Sequence, residues 1–183
     1  MGHRDHVVLV DKHGNDIFNQ DGLLSTIEKI EAHRRGTLHR AISVFIFNKR
    51  NEVLLQKRAA NKYHSPDKWT NTCCTHPLPG EFPLMAAKRR LQEEMGINTT
   101  LIEVFTFSYQ ADVGNGLTEH EFDHVFFGAS SHNPSPNPFE VSDWNWVTIE
   151  GLMQDLLLNP EKYSPWLRQC FNEVIKYKSQ DTG

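Results

Sequence analysis

The residues best equipped for chemistry stand in three places: a thiol and an imidazole at Cys74 and His76, a carboxylate pair at Glu119 and Glu121, and a second carboxylate pair at Glu93 and Glu94. Cys74 and His76 are two apart in the run Trp69-Thr70-Asn71-Thr72-Cys73-Cys74-Thr75-His76-Pro77. In an extended run successive side chains face opposite ways, so only Cys74 of the two adjacent cysteines shares a face with His76. Pro77 favours the extended form, because its ring pushes the preceding residue away from the helical region. Cys73 then faces the packing, where a free cysteine behaves as a small hydrophobe. Glu119 and Glu121 likewise project together from a strand, with His120 and Phe122 turned away. Two carboxylates side by side repel unless a cation or a shared proton holds them. The spacing alone serves equally a metal-binding pair or the solvated face of an edge strand.

Elements marked out by the hydrophobic pattern must position these groups. After Pro77, Leu84, Ala87, Leu91 and Met95 recur at spacings of three and four, which predicts an amphipathic helix with those four on its buried stripe. Arg89 and Glu93, and Arg90 and Glu94, are four apart, so the opposite side carries stacked charge pairs. Gly96 is the natural stop. Upstream, residues 7–10 are a short strand candidate ended by the turn Asp11-Lys12-His13-Gly14. Leu23, Ile27 and Ile30 give a weak helical spacing over residues 23–33, broken at Gly36. Residues 41–48 are a near-continuous β-branched and aromatic run, a buried strand, with 53–58 as the expected hairpin partner. Residues 61–68 are a polar loop. Residues 101–111 and 119–129 are long strands around Gly114-Asn115-Gly116, a strong hairpin signal. Residues 130–138 read as loop, 144–147 as a strand, 150–158 and 165–178 as closing helices, and 179–183 as a frayed end. The sum is a mixed sheet sandwiched between helices, of the α/β (α+β) class, in a single domain over residues 1–183 with its core at about 7–175.

A chain of 183 residues, 38% of them hydrophobic, is long enough for a sizeable core. No apolar run approaches the ~18 residues of a membrane span. Met1-Gly2-His3-Arg4-Asp5-His6 has no apolar signal region, so the expectation is a cytoplasmic protein without a leader. Three cysteines, two of them adjacent, make a poor disulfide framework and suit a reducing compartment. The net charge of −4 argues against nucleic acid, so cations near the motif read as local anion binders. Of the ten histidines, His120, His124 and His132 read as structural or surface residues.

Aligned on Glu93-Glu94-Met95-Gly96-Ile97, the stretch from Trp69 resembles the Nudix box, with Glu81 as its first glutamate and Arg89 as its arginine. Two positions depart from the pattern. Thr75 stands in place of the opening glycine, and Arg90 in place of the Glu of Arg-Glu-aliphatic. In Nudix hydrolases that Glu belongs to the metal site that activates water, so the departure argues against ordinary diphosphate hydrolysis. The preceding T-N-T-C-C-T-H-P is similar to the type 1 isopentenyl-diphosphate Δ-isomerases, Nudix-fold enzymes with a catalytic cysteine in this segment. The similarity extends over roughly residues 7 to 175.

The resemblance implies a metal site of His33, His39, His76, Glu119 and Glu121, whose mixture of imidazole and carboxylate suits Mg²⁺ or Mn²⁺ ahead of Zn²⁺ or Fe²⁺. His33 and His39 rest on the context E-A-H-R-R-G-T-L-H-R-A-I-S-V-F. It also assigns Lys29, Arg58, Lys62 and Arg90 to the substrate diphosphate, and Glu94 to a second Mg²⁺ bound with it. Taken alone, those four cations would be ordinary surface charge. The implied reaction is a 1,3-proton shift between isopentenyl and dimethylallyl diphosphate. Its acid–base pair would be Glu121 as proton donor, with Tyr109 in hydrogen-bond support, and Cys74 as the partner base, a thiol of lowered pKa. Trp166 resembles the aromatic that stabilises the intervening carbocation, although taken alone it would be a helix-start core residue. The expected partner is a small-molecule prenyl diphosphate, with neither nucleic acid nor membrane, for a monomer or weak dimer. The alternatives are a Nudix diphosphate hydrolase and a Nudix module that only binds. A binder has no reason to keep both proton-transfer partners.

Overall fold

In the computed structural model, residues 5–180 are described; residues 1–4 and 181–183, on which the leader and much of the frayed-end expectations fall, lie outside the described residues. β1 (His6–Val8) pairs with β2 (Thr26–Glu28) in a small sheet, and α1 (Lys29–Arg35) follows directly. The main sheet contains β3 (His39–Phe47), β4 (Glu52–Arg58), β5 (Trp69–Thr70), β6 (Cys73–Thr75), β7 (Leu101–Gly114), β8 (Leu117–Ala129) and β9 (Val141–Thr148). α2 (Pro83–Met95) follows β6, and α3 (Ile149–Leu158) and α4 (Pro165–Gln180) close the chain. Strand alternation in β3 divides the core in two. Ile42, Val44 and Ile46 pack with Ala87, Leu91 and Met95 of α2, whereas Phe45 and Phe47 pack with Leu167, Cys170, Phe171 and Val174 of α4. The result is the expected mixed sheet between helices.

The middle of that sheet is split, and the split makes room for the site. β3 and β4 meet only at Phe47 and Val53. Beyond that pair β3 takes β6 on one edge and β8, in parallel, on the other, while β4 pairs with β5 and β9. The expected 41–48 and 53–58 hairpin keeps its antiparallel turn, but its pairing is corrected to the single position beside that turn. The wedge is Asn71-Thr72, fully buried. Thr72 Oγ1 donates to the Leu54 carbonyl at 2.6 Å and accepts from the Ile46 amide at 2.9 Å. Asn71 Nδ2 donates to the Val44 and Cys73 carbonyls at 3.3 and 2.7 Å. Polar side chains satisfy backbone groups that parting strands would otherwise orphan.

Three further expectations change. Residues 26–28 are strand, and the helix begins only where the Glu28 carboxylate accepts from the Glu31 amide at 2.9 Å; it ends at left-handed Gly36. Leu23, expected on a buried helical stripe, is 64% exposed. On α2, Ala87, Leu91 and Met95 are buried as expected, but Leu84 is 36% exposed and Glu94, expected on the charged outer side, is 3% exposed. The β7–β8 hairpin forms around Asn115 and Gly116, both at positive φ (56° and 71°), as a two-residue turn of this kind demands.

Candidate active site

β6 pairs Cys74 with Ser43 and Cys73 with Val44, so the two thiols leave opposite faces of the sheet. Cys73 enters the core beneath α2. Cys74 lines a pocket with His76, Tyr109, Glu119, Glu121 and Trp166, together with Lys29, Arg58, Lys62 and Arg90. The register of β8 sets Glu121 beside His39 of β3 and Tyr109 of β7, and alternation puts Glu119 on the same face. Both carboxylates are buried, at 2% and 6% exposure, which excludes the solvated edge-strand reading.

Around them stand the histidines. His76 Nε2 lies 2.8 Å from Glu121 Oε1, and His39 Nε2 lies 3.2 Å from His76 Nε2 and 3.6 Å from Glu121 Oε1. His33 Nδ1 approaches the Lys29 carbonyl at 2.6 Å and His39 Nδ1 the Thr37 carbonyl at 2.7 Å. A carbonyl only accepts, so both Nδ1 atoms carry a proton, and wherever the ring is neutral its Nε2 keeps the lone pair. His33 Nε2 is buried with no hydrogen-bond partner. Lone pairs and carboxylate oxygens converging on one buried space are the donor set a divalent cation satisfies. Burial pushes His33 down and His76 down to about 4, which keeps these imidazoles neutral and able to ligate. His33, His39, His76 and Glu121 place one donor atom each within 4.8 Å of the others; Glu119 groups instead with His33 and His64.

Tyr109 Oη stands 2.8 Å from Glu119 Oε2 and 2.5 Å from Glu121 Oε2. One phenol proton serves one acceptor, so the arrangement calls for a second proton. Burial and the neighbouring Glu121 charge raise Glu119 well above the usual carboxylate range. Burial also opposes the charge of Glu121, but the His39 and His76 imidazoles outweigh it and hold Glu121 well below. In the metal-free site Tyr109 then donates to ionised Glu121 and accepts from protonated Glu119, whose proton a bound cation would displace. Burial pushes the Cys74 thiol up to about 12 against the pull of Arg58. The expected lowered thiol pKa is therefore corrected: Cys74 carries its proton at neutral pH, because desolvation of a thiolate outweighs one guanidinium at 3.7 Å.

The four cations come from four elements. Lys29 starts α1, Arg58 ends β4, Lys62 lies in the next loop, and Arg90 is on α2. Arg58 is largely spoken for: Nε and Nη2 donate to the Ser65 and His64 carbonyls at 3.1 Å each, and Nη1 faces Cys74. Arg90 donates to Glu94 at 2.6 Å and to Glu93 at 2.8 Å, and lies 3.1 Å from Glu140. Glu140 also pairs with Lys62, so it bridges two of the cations. Glu94 takes a second bond, from Gln56 at 2.9 Å. Trp166 is held by Nε1 donation to Asn71 Oδ1 at 3.0 Å, with Arg58 over its ring at 5.3 Å. Arg89 grips Glu81 through two bonds of 2.8 and 2.7 Å, so the first Nudix-box glutamate serves as an anchor for its loop.

Sequence reasoning missed Tyr63, His64, Gln56 and Glu140. Tyr63 and His64 sit in what reads as a polar loop and give no periodic signal, though a Tyr-His pair beside a phosphate-assigned lysine is an unusual loop composition. Tyr63 receives Lys29 over its ring at 5.1 Å. Gln56 and Glu140 reach the site only through the β4 pairings and the loop before β9.

The NUDIX domain family model matches residues 37–170. Solved structures agree on the fold at low identity. A Deinococcus radiodurans protein superposes with a TM-score of 0.75 at 17% identity, covering 92% of this chain and 98% of its own. A MutT protein of Methanosarcina mazei gives 0.63 at 18%, covering 80% and 96%. Curated sequences narrow the class. Isopentenyl-diphosphate Delta-isomerase 2 of Aromatoleum aromaticum is 48% identical over 175 residues, 96% of this chain and 89% of that protein. Isopentenyl-diphosphate Delta-isomerase of Pectobacterium atrosepticum is 46% identical over 171 residues, 93% and 92% of the two chains. The chain belongs to the isopentenyl-diphosphate Delta-isomerases of the Nudix family.

Proposed function

We propose that this protein interconverts isopentenyl and dimethylallyl diphosphate, with Cys74 and Glu121 as the proton-transfer pair. The observation that carries this reading is one pocket holding both groups, Tyr109 and Trp166 beside four cations. An unactivated alkene is a weak base, so its terminal carbon needs a desolvated acid. Protonation there leaves a tertiary cation, and loss of a proton from the carbon next to the diphosphate-bearing one gives the internal alkene. The directions above support Cys74 as the group that starts protonated and Glu121 as the one that starts ionised. One turnover exchanges their states. The Tyr109 bridge between Glu121 and Glu119 offers a route for returning the proton. The Trp166 face, which lines the same pocket, favours the cation by ~2 kcal/mol where the cation is desolvated.

His33, His39, His76, Glu119 and Glu121 would hold one Mg²⁺ or Mn²⁺, which supplies charge compensation beside the transferring carboxyl. Lys29, Arg58, Lys62 and Arg90 would bind the diphosphate, and Glu94 would help hold a second Mg²⁺ beside it. We take the protein to be a monomer or weak dimer acting on this small molecule in the cytoplasm, a compartment its three free cysteines suit. No helix among the described residues is long and apolar enough to cross a membrane. Hydrolysis is the weaker reading, since Glu81 and Glu93 are held by Arg89 and Arg90. Incubation with isopentenyl diphosphate and Mg²⁺, followed by NMR, should yield dimethylallyl diphosphate with no phosphate released. Phosphate release without the isomer would overturn the assignment.

A further inference from the structure

His64 lies outside the ligand set that the family resemblance implies, yet the fold seats it at that set. It is 5% exposed, and its ring stacks on His33 with centroids 5.3 Å apart and planes inclined by 26°. Its Nδ1 is 3.2 Å from Glu119 Oε1 but out of line for N–H donation, so this buried nitrogen makes no hydrogen bond. A buried polar atom left unpaired is costly. Arg58 holds the His64 and Ser65 carbonyls, and Trp166 meets the ring edge-on with centroids 6.0 Å apart. The backbone is therefore fixed with the imidazole pointing inward.

Donor atoms of His33, His64 and Glu119 lie within 4.8 Å of one another, as do those of His33, His39, His76 and Glu121. The two groups share His33, whose Nδ1 is committed to the Lys29 carbonyl. Only Nε2 remains, and one lone pair serves one cation, so these are not two metal sites. We propose that they are a single centre in which His64 Nδ1 is a further protein donor beside His33, His39, His76, Glu119 and Glu121. Neighbouring donors on a six-coordinate ion with bonds of about 2.1 Å sit about 3.0 Å apart. The spacings of His64 to Glu119 (3.2 Å), His39 to His76 (3.2 Å) and His76 to Glu121 (2.8 Å) fall around that figure, and His39 to Glu121 is longer at 3.6 Å. Four imidazoles and two carboxylates would fill such a shell from protein alone once the two groups, separate in the metal-free fold, draw in to about 4.2 Å, the span of opposite donors. A set this rich in nitrogen selects Mn²⁺, Co²⁺ or Zn²⁺ over Mg²⁺, which prefers oxygen and retains water. The inference rests on the metal reading of the site and extends it to one more residue and to the choice of ion.

Pulsed EPR of Mn²⁺-loaded protein carrying ¹⁵N-histidine counts directly bound imidazoles. Four are expected in the wild type and three in His64→Ala, with Mn²⁺ affinity by chelator competition falling at least roughly tenfold and Mg²⁺ affinity changing less. Thermal melting of the metal-free proteins checks the fold, and His64→Gln substitutes if the alanine variant does not fold. Three imidazoles in the wild type, or unchanged Mn²⁺ affinity in the His64 variant while His76→Ala loses the ion, would overturn the role of His64 alone. No bound imidazole in any protein, with His76→Ala also unchanged, would remove the metal reading itself.

Discussion

Cys73 and Cys74 are adjacent in the chain and lie on opposite faces of one strand, Cys73 fully buried beneath α2 and Cys74 in the pocket. The pairing of β6 with β3 sets this difference, and it separates the two thiols functionally.

Cys74→Ala should nearly abolish isomerisation with the fold intact, whereas Cys73→Ala should cost about 1 kcal/mol of stability and leave turnover largely unchanged. An electrophilic substrate analogue should label Cys74. Peptide mapping that found the label on Cys73 would reverse the assignment.

Prolonged chelation should abolish activity, and Mn²⁺ or Mg²⁺ should restore it. His76→Ala should weaken metal binding by at least roughly tenfold, since its Nε2 stands nearest Glu121 in the cluster. Full turnover by rigorously metal-free protein would refute the ligand set.

Binding and chemistry should separate in steady-state kinetics. Lys62→Ala should raise KM by about tenfold through the loss of one charge-assisted contact, with kcat little changed. Glu121→Gln should lower kcat by at least ~10²-fold. Arg58→Ala should change both, because Arg58 also fastens the loop that carries His64. Normal kcat in Glu121→Gln would remove Glu121 from the proton-transfer pair.

Stability of the metal-free protein should carry the signature of His76. The unfolded chain protonates this imidazole near pH 6.5, the folded one only near pH 4. Its folded-state pKa is depressed, so protons bind the unfolded state preferentially and its contribution is lost as pH falls through that window. Across it, wild type should lose roughly 3 kcal/mol relative to His76→Asn in denaturant titrations. A difference that stays flat from pH 7 to 4 would mean that His76 is not held neutral.

Local chemistry made much of this protein legible in its residues. Asn115-Gly116 tolerates positive φ and so closes the β7–β8 hairpin. Strand alternation aligns Glu119 with Glu121 and Cys74 with His76, and Gly96 ends α2 in the left-handed conformation. These features depend on neighbours a few residues apart. The split between β3 and β4 does not: it exists because β6 and β8 occupy both edges of β3, and Asn71 and Thr72 bond across the gap. The same long-range packing buries Glu94, turns His64 inward, bridges Lys62 and Arg90 through Glu140, and raises Cys74 where a reactive low-pKa thiol is the simpler expectation. Desolvation depends on everything that surrounds a group, and those surroundings are assembled from segments far apart in the chain.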